Sequence, residues 1–233
     1  MAGALARRRR PVRRGPGRPL RLAADPPWAH DAGLRVSRLG RRRPRTSTSG
    51  GGVAPRPTFY GHSMAHPDIR PATPEDLPDL IRLVKDLATY EKEPDAAVAT
   101  EDDFRAALFP TGKGATPMAW CHVAEAGEGR DRQVVGMALW FLTFSTWTGR
   151  HGIHLEDLYV EPRHRGSGLG KALLETLAQE CRERGYKRLE WSVLRWNAPS
   201  IAFYDSLDAT PQDEWLTYRL DGDALESLGR DDD

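Results

Sequence analysis

The chain has 233 residues, a net charge of only +1 and two cysteines, and its length allows one core-bearing domain with an extension. No apolar run approaches the roughly 18 residues that a membrane span needs, and no apolar stretch near the N-terminus has the length of a signal-peptide core, so a soluble, cytoplasmic protein is expected. Cys121 and Cys181 lie 60 residues apart, which excludes a zinc-finger spacing and a disulfide framework. Both are expected to be buried free thiols.

The small net charge conceals a division of the chain near residue 63. Residues 1–63 contain 15 arginines, no lysine and two acidic residues, a net charge of +13, whereas residues 64–233 contain 19 basic and 31 acidic residues, a net charge of −12. The first segment is rich in Arg, Pro and Gly and has too few apolar residues for a core, so it is predicted to be a disordered extension of a folded domain at 64–233. Because Met64 opens a stretch typical of a protein start, the extension is interpreted as an over-extended start or an inert tail. A basic arm for nucleic acid and a targeting peptide stay open as alternatives.

Helices are predicted from apolar residues three or four apart and from capping residues, and strands from alternating or continuous apolar runs. In chain order the pattern predicts a strand at 68–70, a helix entered at 73–76 that frays near residue 90, a helix at 101–108, strands at 118–125 and 133–144, a turn at 145–152, a strand at 153–160, a helix at 169–184 that stops at Gly185, a strand at 187–194, a helix at 198–207 and a final strand at 215–220. This order predicts an α/β fold with an antiparallel first half and one crossover helix.

A glycine-rich loop separates the strand at 153–160 from the helix that follows it. The loop reads Arg165-Gly166-Ser167-Gly168-Leu169-Gly170. A helix N-terminus presents about four unpaired N–H groups and a partial positive charge, glycines let the backbone approach a ligand, and an arginine can bind two phosphate oxygens. The loop is therefore predicted to hold a pyrophosphate. It is not a P-loop, because Lys171 is followed by Ala172 rather than Ser or Thr, and its glycines lack the spacing of a dinucleotide-binding loop.

This loop matches the Arg/Gln-x-x-Gly-x-Gly/Ala signature of the GNAT superfamily of N-acetyltransferases, which the chain resembles over nearly all of 69–220. Two further stretches carry the resemblance, LEDLYV at 155–160 and WNAPSIAFY at 196–204. Within the superfamily the chain looks most like the diamine (spermidine/spermine) N-acetyltransferase branch, on IRPATPEDL from Ile69, on Tyr90-Glu91 and on the Trp147-Thr148-Gly149 turn.

The resemblance implies the GNAT acyl-CoA N-acyltransferase fold, a mixed and mostly antiparallel central sheet flanked by helices. It also implies acetyl-CoA as co-substrate and a homodimer. The chain departs from the family at Asp208, where a glycine is usual. Aspartate tolerates the left-handed backbone conformation better than most residues, so a local cost is expected rather than a lost fold.

The resemblance also assigns roles to residues. Tyr204 is expected to protonate the departing thiolate and Glu156 to remove a proton from the amine, while a core tyrosine and a strand-edge carboxylate are the alternative interpretations. Because Glu156 and Asp157 are adjacent in a strand, their side chains are predicted to lie on opposite faces. No metal site is predicted. The expected amine-binding residues are Tyr90, Glu91, Trp147, Glu156 and Asp157, and the expected acetyl-CoA-binding residues are Leu158, Tyr159, Val160, Arg165, Gly166, Ser167, Gly168, Leu169, Gly170, Lys171, Asn197, Ser200 and Tyr204.

The predicted function is acetyl-CoA-dependent N-acetylation of a small cationic amine by direct transfer, with a polyamine or diamine favoured. Thialysine-like amino acids, aminoglycosides, other small amines and protein amines stay open as acceptors. An acyl-CoA-binding sensor without turnover, and nucleic-acid binding through the arginine-rich tail, are the alternatives from other classes. The charge of −12 on residues 64–233 agrees with a cationic substrate, and no membrane partner is expected.

Overall fold

A computed structural model describes residues 66–230, so the predicted extension at 1–63 and its boundary lie outside the described residues. Within the described range, five strands form one sheet in the order β1-β2-β3-β4-β5. The first three pairings are antiparallel and the last, between β4 and β5, is parallel. The predicted α/β class with a mostly antiparallel sheet and one crossover helix is therefore confirmed.

The elements alternate much as the sequence pattern predicts. The strands and helices, in chain order, are β1 Ile69–Pro71, α1 Leu77–Tyr90, α2 Glu101–Leu108, β2 Trp120–Ala126, β3 Gln133–Ser145, β4 Arg150–Val160, α3 Leu169–Arg184, β5 Leu189–Trp191, α4 Ala198–Asp205 and α5 Gly222–Leu228.

Local capping chemistry fixes several helix ends. The backbone N–H of Asp103 donates to the hydroxyl of Thr100 at 3.3 Å, and the carboxylate of Asp103 accepts from the N–H of Thr100, so α2 begins with a reciprocal cap. Helix α3 ends at Gly185, which adopts the left-handed conformation that this position favours (φ 69°). Asp208 also adopts a left-handed backbone (φ 60°), the conformation that aspartate tolerates better than most residues, and the local cost expected there stays a prediction.

The sheet separates two apolar cores. One lies beneath α3 and contains Trp140, Leu155 and Leu173, while the other lies beneath α1 and α2 and contains Leu80 and Met137. Each of these five side chains is about 1% exposed or less. Burial on both faces explains why β3 reads as a nearly continuous apolar run, and it fixes the central strands that support the cleft described below.

The bounds of two predicted strands and the existence of a third are wrong, each for a non-local reason. Strand β4 begins at Arg150 within the predicted turn, because residues 150–152 pair with 143–145 of β3. Strand β5 is only Leu189–Trp191, because it pairs with β4 at three positions and then separates from it. The predicted strand at 215–220 has no ladder partner among residues 66–230 and lies exposed, and it is followed by the unpredicted helix α5. Alternating apolar residues indicate a strand but cannot supply the neighbour whose backbone it must bond.

None of the helices in the described part is long and apolar enough to cross a bilayer.

Candidate active site

A cavity of about 560 Å³ opens where β4 and β5 separate. Parallel pairing joins Ile153–Leu155 to Leu189–Trp191 only, so the last part of β4, Leu158–Val160, lines the cavity beside Ser192–Leu194 instead of pairing with it. Unpaired backbone groups of a strand need another hydrogen-bonding partner. The separated strands therefore leave main-chain donors and acceptors of β4 facing a cleft that can hold a ligand.

The cavity brings together most of the side chains that the sequence singles out. Ser167 and Trp147 are the two predicted site residues that do not line it. The predicted residues that do are Tyr90, Glu91, Glu156, Asp157, Leu158, Tyr159, Val160, Arg165, Gly166, Gly168, Leu169, Gly170, Lys171, Asn197, Ser200 and Tyr204.

One end of the cleft is the N-terminus of α3. Gly168 precedes the helix in a left-handed conformation (φ 93°), and Gly166 is also left-handed (φ 78°). A Cβ atom at either glycine would meet no other atom within 4 Å, so the space beside the loop is open. The loop therefore presents helix N–H groups to a space that a diphosphate can enter. Ser167 has a different task, because its hydroxyl donates to the carbonyl oxygen of His164 at 2.6 Å and closes the turn.

Arg165 is held in place at this end of the cleft. Its Nε donates to the carbonyl oxygen of Val160 at 2.9 Å. Its guanidinium carbon lies 4.7 Å from the ring centre of Tyr90 and 5.5 Å from that of Tyr159, which is the geometry of cation–π contacts. The guanidinium is therefore oriented before any ligand binds.

Glu161 anchors the turn that leads from β4 into the loop, and sequence reasoning missed it. Its side chain is buried and accepts hydrogen bonds from Arg82 of α1 and from Arg163 at 2.7 Å. Burial alone would raise the pKa of Glu161, but the two arginines outweigh it and hold the pKa below its usual value. Arg82 also donates to the carbonyl oxygen of Val134 on β3 at 2.8 Å, so the start of the glycine-rich loop is fastened to α1 and to the sheet.

The other end of the cleft is acidic because of a β-bulge in β4. Leu139 of β3 pairs with Asp157, whereas the next residue, Trp140, pairs with Leu155. Glu156 is therefore an extra residue without a partner on β3, as in a two-against-one bulge.

The bulge shifts the alternation of β4 by one residue. Leu155 packs in the core beneath α3, and the next β4 residue to pack there is Leu158, three positions later instead of two. Glu156 and Asp157 consequently both line the cleft on the α1 side. The prediction that they lie on opposite faces is wrong, because strict alternation holds only for a strand without a bulge.

Two carboxyl groups at this end of the cleft have raised pKa values. Burial, followed by the charges of Glu156 and Glu91, raises the pKa of Asp157 to about 6. Burial also raises the pKa of Glu91. Removal from water disfavours the charged form, and nearby like charges add to that effect. A cation that entered this end would relieve both costs.

Tyr204 lines the same cleft from α4. Its ring packs against Trp191 at 4.9 Å and Phe203 at 5.4 Å between centres. Burial, followed by the negative charge of Glu91, raises the pKa of Tyr204 above its ordinary value. The hydroxyl therefore stays protonated at neutral pH and can donate a proton or a hydrogen bond.

Asn197 sets the start of α4. Its Oδ1 accepts from the backbone N–H of Ser200 at 3.3 Å, as expected for a cap, and from the hydroxyl of Tyr90 at 2.9 Å. Trp147, by contrast, lies at the turn between β3 and β4 with its side chain 73% exposed. The described chain does not bring Trp147 to this cleft.

Several lining residues were missed. His164 directly precedes Arg165 in the chain, and this position is the one feature of the sequence from which its place in the cleft lining could have been predicted. The others are apolar or small and carry no chemical signal in the sequence; they are Leu87, Ser192, Val193, Leu194, Pro199 and Phe203. Within residues 66–230, no group of three or more His, Cys, Asp or Glu side chains is placed to hold a metal ion.

A model of the Acetyltransferase (GNAT) family matches residues 81–208, more than half of the chain. The chain belongs to the GNAT family. It is 37% identical over 172 residues to a Bos taurus thialysine N-epsilon-acetyltransferase, covering 71% of this chain and 98% of that protein. It is 32% identical over 169 residues to the Homo sapiens spermidine/spermine N(1)-acetyltransferase-like protein 1, covering 70% of this chain and 24% of that protein.

Solved structures agree on the fold of this GNAT protein. An integron cassette protein from the mobile metagenome of V. cholerae superposes with a TM-score of 0.57 at 25% identity, over 70% of this chain and 97% of that one. The family match and these relatives confirm the N-acetyltransferase class and a place near the polyamine acetyltransferase branch.

Proposed function

We propose that this protein transfers the acetyl group of acetyl-CoA directly to a primary amine of a small polycationic substrate, a diamine or polyamine. The observation that carries the proposal is one cleft with an open helix N-terminus at one end and three carboxylates at the other. A diphosphate suits the first end, and an ammonium group suits the second. Acetyl transfer needs these two ligands side by side.

The co-substrate end supports an acyl-CoA. Left-handed Gly166 and Gly168 open the backbone amides at the start of α3, and Arg165 adds a fixed guanidinium for phosphate oxygens. Beyond this loop, the strand segment Leu158–Val160, which pairs with β3 on one side and has no β5 partner on the other, offers a backbone N–H to the thioester carbonyl. Such a donor stabilises the negative charge that develops on that oxygen during attack.

The acidic end supports proton removal from the amine. During transfer the amine nitrogen loses a proton, an N–C bond forms, the C–S bond breaks, and the thiolate takes up a proton. Asp157, with a pKa of about 6, is ionised at neutral pH and basic enough to accept the amine proton. Glu156 stays the candidate predicted from the sequence, and its place on the same face as Asp157 lets either carboxylate act through a water molecule. Tyr204, kept protonated by its raised pKa, donates to the thiolate.

Charge favours a polyamine over an amino acid as the acceptor. Among the residues that line the described cleft, the arginine and lysine side chains are Arg165 and Lys171. Both lie at the end formed by the glycine-rich loop and the start of α3. A thialysine-like acceptor carries its own carboxylate, which would meet Glu91, Glu156 or Asp157 with no opposing cation. The similarity to the thialysine N-epsilon-acetyltransferase keeps that acceptor as the second candidate.

A panel of amines tests the proposal. Purified protein and acetyl-CoA are incubated with spermidine, putrescine, thialysine, ornithine, an aminoglycoside and a short peptide, and CoA thiol release is measured. Release with spermidine or putrescine at a higher kcat/KM than with thialysine supports the proposal, whereas the reverse order replaces the acceptor. CoA binding by calorimetry with no thiol release for any amine would identify an acyl-CoA sensor instead.

We also propose a homodimer. Alternate apolar side chains at Leu216, Tyr218 and Leu220 are exposed, Tyr218 by 90%, in a segment with strand-like alternation and no ladder partner in the described part of the chain. Pairing with a second copy would satisfy both the backbone and the apolar side chains. Sedimentation velocity should show a dimer that the double substitution Leu216→Asp, Tyr218→Asp dissociates and that Val98→Asp, at an exposed valine elsewhere, leaves intact. A monomeric wild type at micromolar concentration would contradict the dimer.

A cytoplasmic location completes the proposal. Both cysteines are unpaired and buried, and burial raises the pKa of Cys121 and of Cys181, so neither thiol is activated. Unpaired cysteines are typical of reducing compartments. Fluorescence microscopy of the full chain carrying a C-terminal tag tests this location.

A further inference from the structure

We propose that Tyr90 is a positioning residue that connects the phosphate-binding arginine to the helix carrying Tyr204, rather than a side chain that binds the amine. The inference rests on the proposed function and goes beyond it, because it replaces the role that family resemblance predicts for Tyr90. Its basis is that the polar group and one ring face of Tyr90 are already occupied by protein groups.

The hydroxyl of Tyr90 is occupied by Asn197. It donates to Oδ1 of Asn197 at 2.9 Å, and Asn197 is 6% exposed. The same oxygen accepts the N–H of Ser200, so the hydroxyl fixes the atom that caps α4. Tyr204 lies seven residues, about two helical turns, beyond Asn197. A change at the cap therefore changes where α4 begins and where Tyr204 sits.

The ring of Tyr90 is occupied by Arg165. The guanidinium carbon lies 4.7 Å from the ring centre, and the contact to Tyr159 and the hydrogen bond to Val160 hold the arginine from other sides. An arginine restrained in this way loses less conformational freedom when it binds a phosphate. The ring thus contributes to acyl-CoA affinity without touching the amine.

Backbone hydrogen bonds at the end of α1 hold Tyr90 in place. Tyr90 is the last residue of α1, and the helix closes with the N–H of Lys92 bonded to the carbonyl of Thr89 and that of Glu93 bonded to the carbonyl of Ala88. This is the pair of bonds of a Schellman motif, and Lys92 adopts a left-handed conformation to form it (φ 68°).

The same turn reaches the loop before α4. The ammonium of Lys92 lies 4.7 Å from the ring centre of Trp196, whose ring lies 6.0 Å from that of Tyr90. The end of α1 therefore contacts both the α4 cap, Asn197, and the residue before it, Trp196, and so connects the two halves of the cleft.

Two substitutions test separately the contact of the Tyr90 hydroxyl with Asn197 and the contact of its ring with Arg165. Tyr90→Phe removes the hydroxyl and keeps the ring, so kcat should fall about 5-fold, the effect expected of one neutral hydrogen bond, while the Kd of CoA measured by calorimetry changes less than about 2-fold. Tyr90→Leu also removes the ring, and the Kd of CoA should rise about 5- to 10-fold from the lost cation–π contact. Tyr186→Phe, at a tyrosine outside the cleft lining, is the matched control and should change neither quantity.

A double-mutant cycle tests the route through Asn197. In an Asn197→Ala background, Tyr90→Phe should have no further effect on kcat, whereas in an Asn197→Asp background, which keeps an oxygen acceptor, it should still lower kcat. Thermal unfolding of every variant verifies that each one folds.

The inference is overturned if Tyr90→Phe raises the KM of the amine while kcat stays unchanged, or if Tyr90→Leu leaves the Kd of CoA unchanged. Failure of the proposed function gives a different result, because wild-type protein would then bind no CoA or release no thiol with any amine. If CoA binds but no amine reacts, the calorimetric comparison of Tyr90→Leu with wild type still supports or refutes the ring's role.

Discussion

Substituting Asp157 by asparagine should make the protein more stable and less active, with both effects depending on pH. Asp157 has a folded-state pKa of about 6, against 3.8 when unperturbed, because it is buried beside Glu156 and Glu91. A carboxyl whose pKa is raised by folding stabilises the folded state fully below pH 3.8, and that contribution is lost as pH rises through about 6. Above neutral pH the protein therefore maintains an ionised carboxylate that folding disfavours.

The magnitude follows from the size of the shift. A change of about 2 pKa units corresponds to about 3 kcal/mol, since one unit is worth about 1.4 kcal/mol. The asparagine side chain of the variant has nearly the same shape as aspartate and no charge, so it avoids this cost. At about pH 8, Asp157→Asn should raise the free energy of unfolding by up to about 3 kcal/mol, or Tm by about 5–10 °C for a domain of this size. At about pH 4, where the wild-type carboxyl is largely protonated, the two proteins should differ by much less.

Urea unfolding from about pH 4 to about pH 8 measures this difference directly. Asp213→Asn, at an exposed carboxyl outside the cleft lining, serves as the control and should give a difference independent of pH. Glu156→Gln provides a second test, because removing its charge should lower the pKa of Asp157 and move the pH dependence of stability to lower pH than in the wild type. A difference between wild type and Asp157→Asn that is zero at the alkaline end, or equal at every pH, would refute the burial of an ionisable carboxyl here.

Activity should change in the opposite direction. An asparagine cannot accept a proton, so kcat/KM of Asp157→Asn should fall, and the acidic limb near pH 6 expected for the wild type should disappear. A site that lowers stability in exchange for reactivity is a common result of selection for function. An unchanged pH profile with normal rates would leave Glu156 as the proton acceptor.

Three further predictions concern the cleft and its support. Tyr204→Phe should slow acetyl transfer about 10²-fold in steady-state assays while CoA affinity by calorimetry stays unchanged, and an unaltered rate would remove Tyr204 from proton donation. Gly168→Ala should weaken CoA binding and lower the free energy of unfolding by about 1–2 kcal/mol, because residue 168 is left-handed (φ 93°); equal affinity would contradict the role of this loop. Gly136→Ala should destabilise by about 1–3 kcal/mol in urea, because its Cβ would lie 2.9 Å from the carbonyl oxygen of Tyr159, and wild-type stability would show that β3 and β4 can move apart.

Features set by local chemistry could be predicted from the sequence. The bounds of α2 and α3 follow from Thr100 and from the loop before Leu169, because a cap or a glycine acts on residues within one turn. The place of the glycine-rich loop at the start of α3 and in the cleft was also predictable, since its glycines and Arg165 have a physical reason to precede a helix; that the loop binds phosphate stays a prediction. The sequence therefore predicts most of the residues that line the cleft.

Features that depend on a partner strand could not be predicted. The bulge at Glu156 is a property of the register between β3 and β4, and no residue type near Glu156 indicates that β4 has one residue more than β3 there. The early end of β5 depends on its separation from β4. The contact of Tyr90 with Asn197 joins residues 107 positions apart. The adjacent pair Tyr90-Glu91 suggests that both side chains bind the amine. The sequence alone cannot show that the hydroxyl of Tyr90 bonds Asn197 instead.

Both irregularities of β4 serve the same chemistry. Without the bulge, one of the two adjacent carboxylates would face the apolar core beneath α3, where an ionised group is costly. With it, Glu156 and Asp157 share the cleft, and their proximity contributes to the raised pKa of Asp157. Without the separation of β5, the backbone of Leu158–Val160 would be paired on both sides, with β3 and with β5, and unable to bond a ligand. A variant that restored regular pairing, by deleting Glu156, should therefore keep Asp157 opposite Leu139 on the cleft side, with its pKa lowered by the loss of the neighbouring charge, while the sheet itself gains hydrogen bonds.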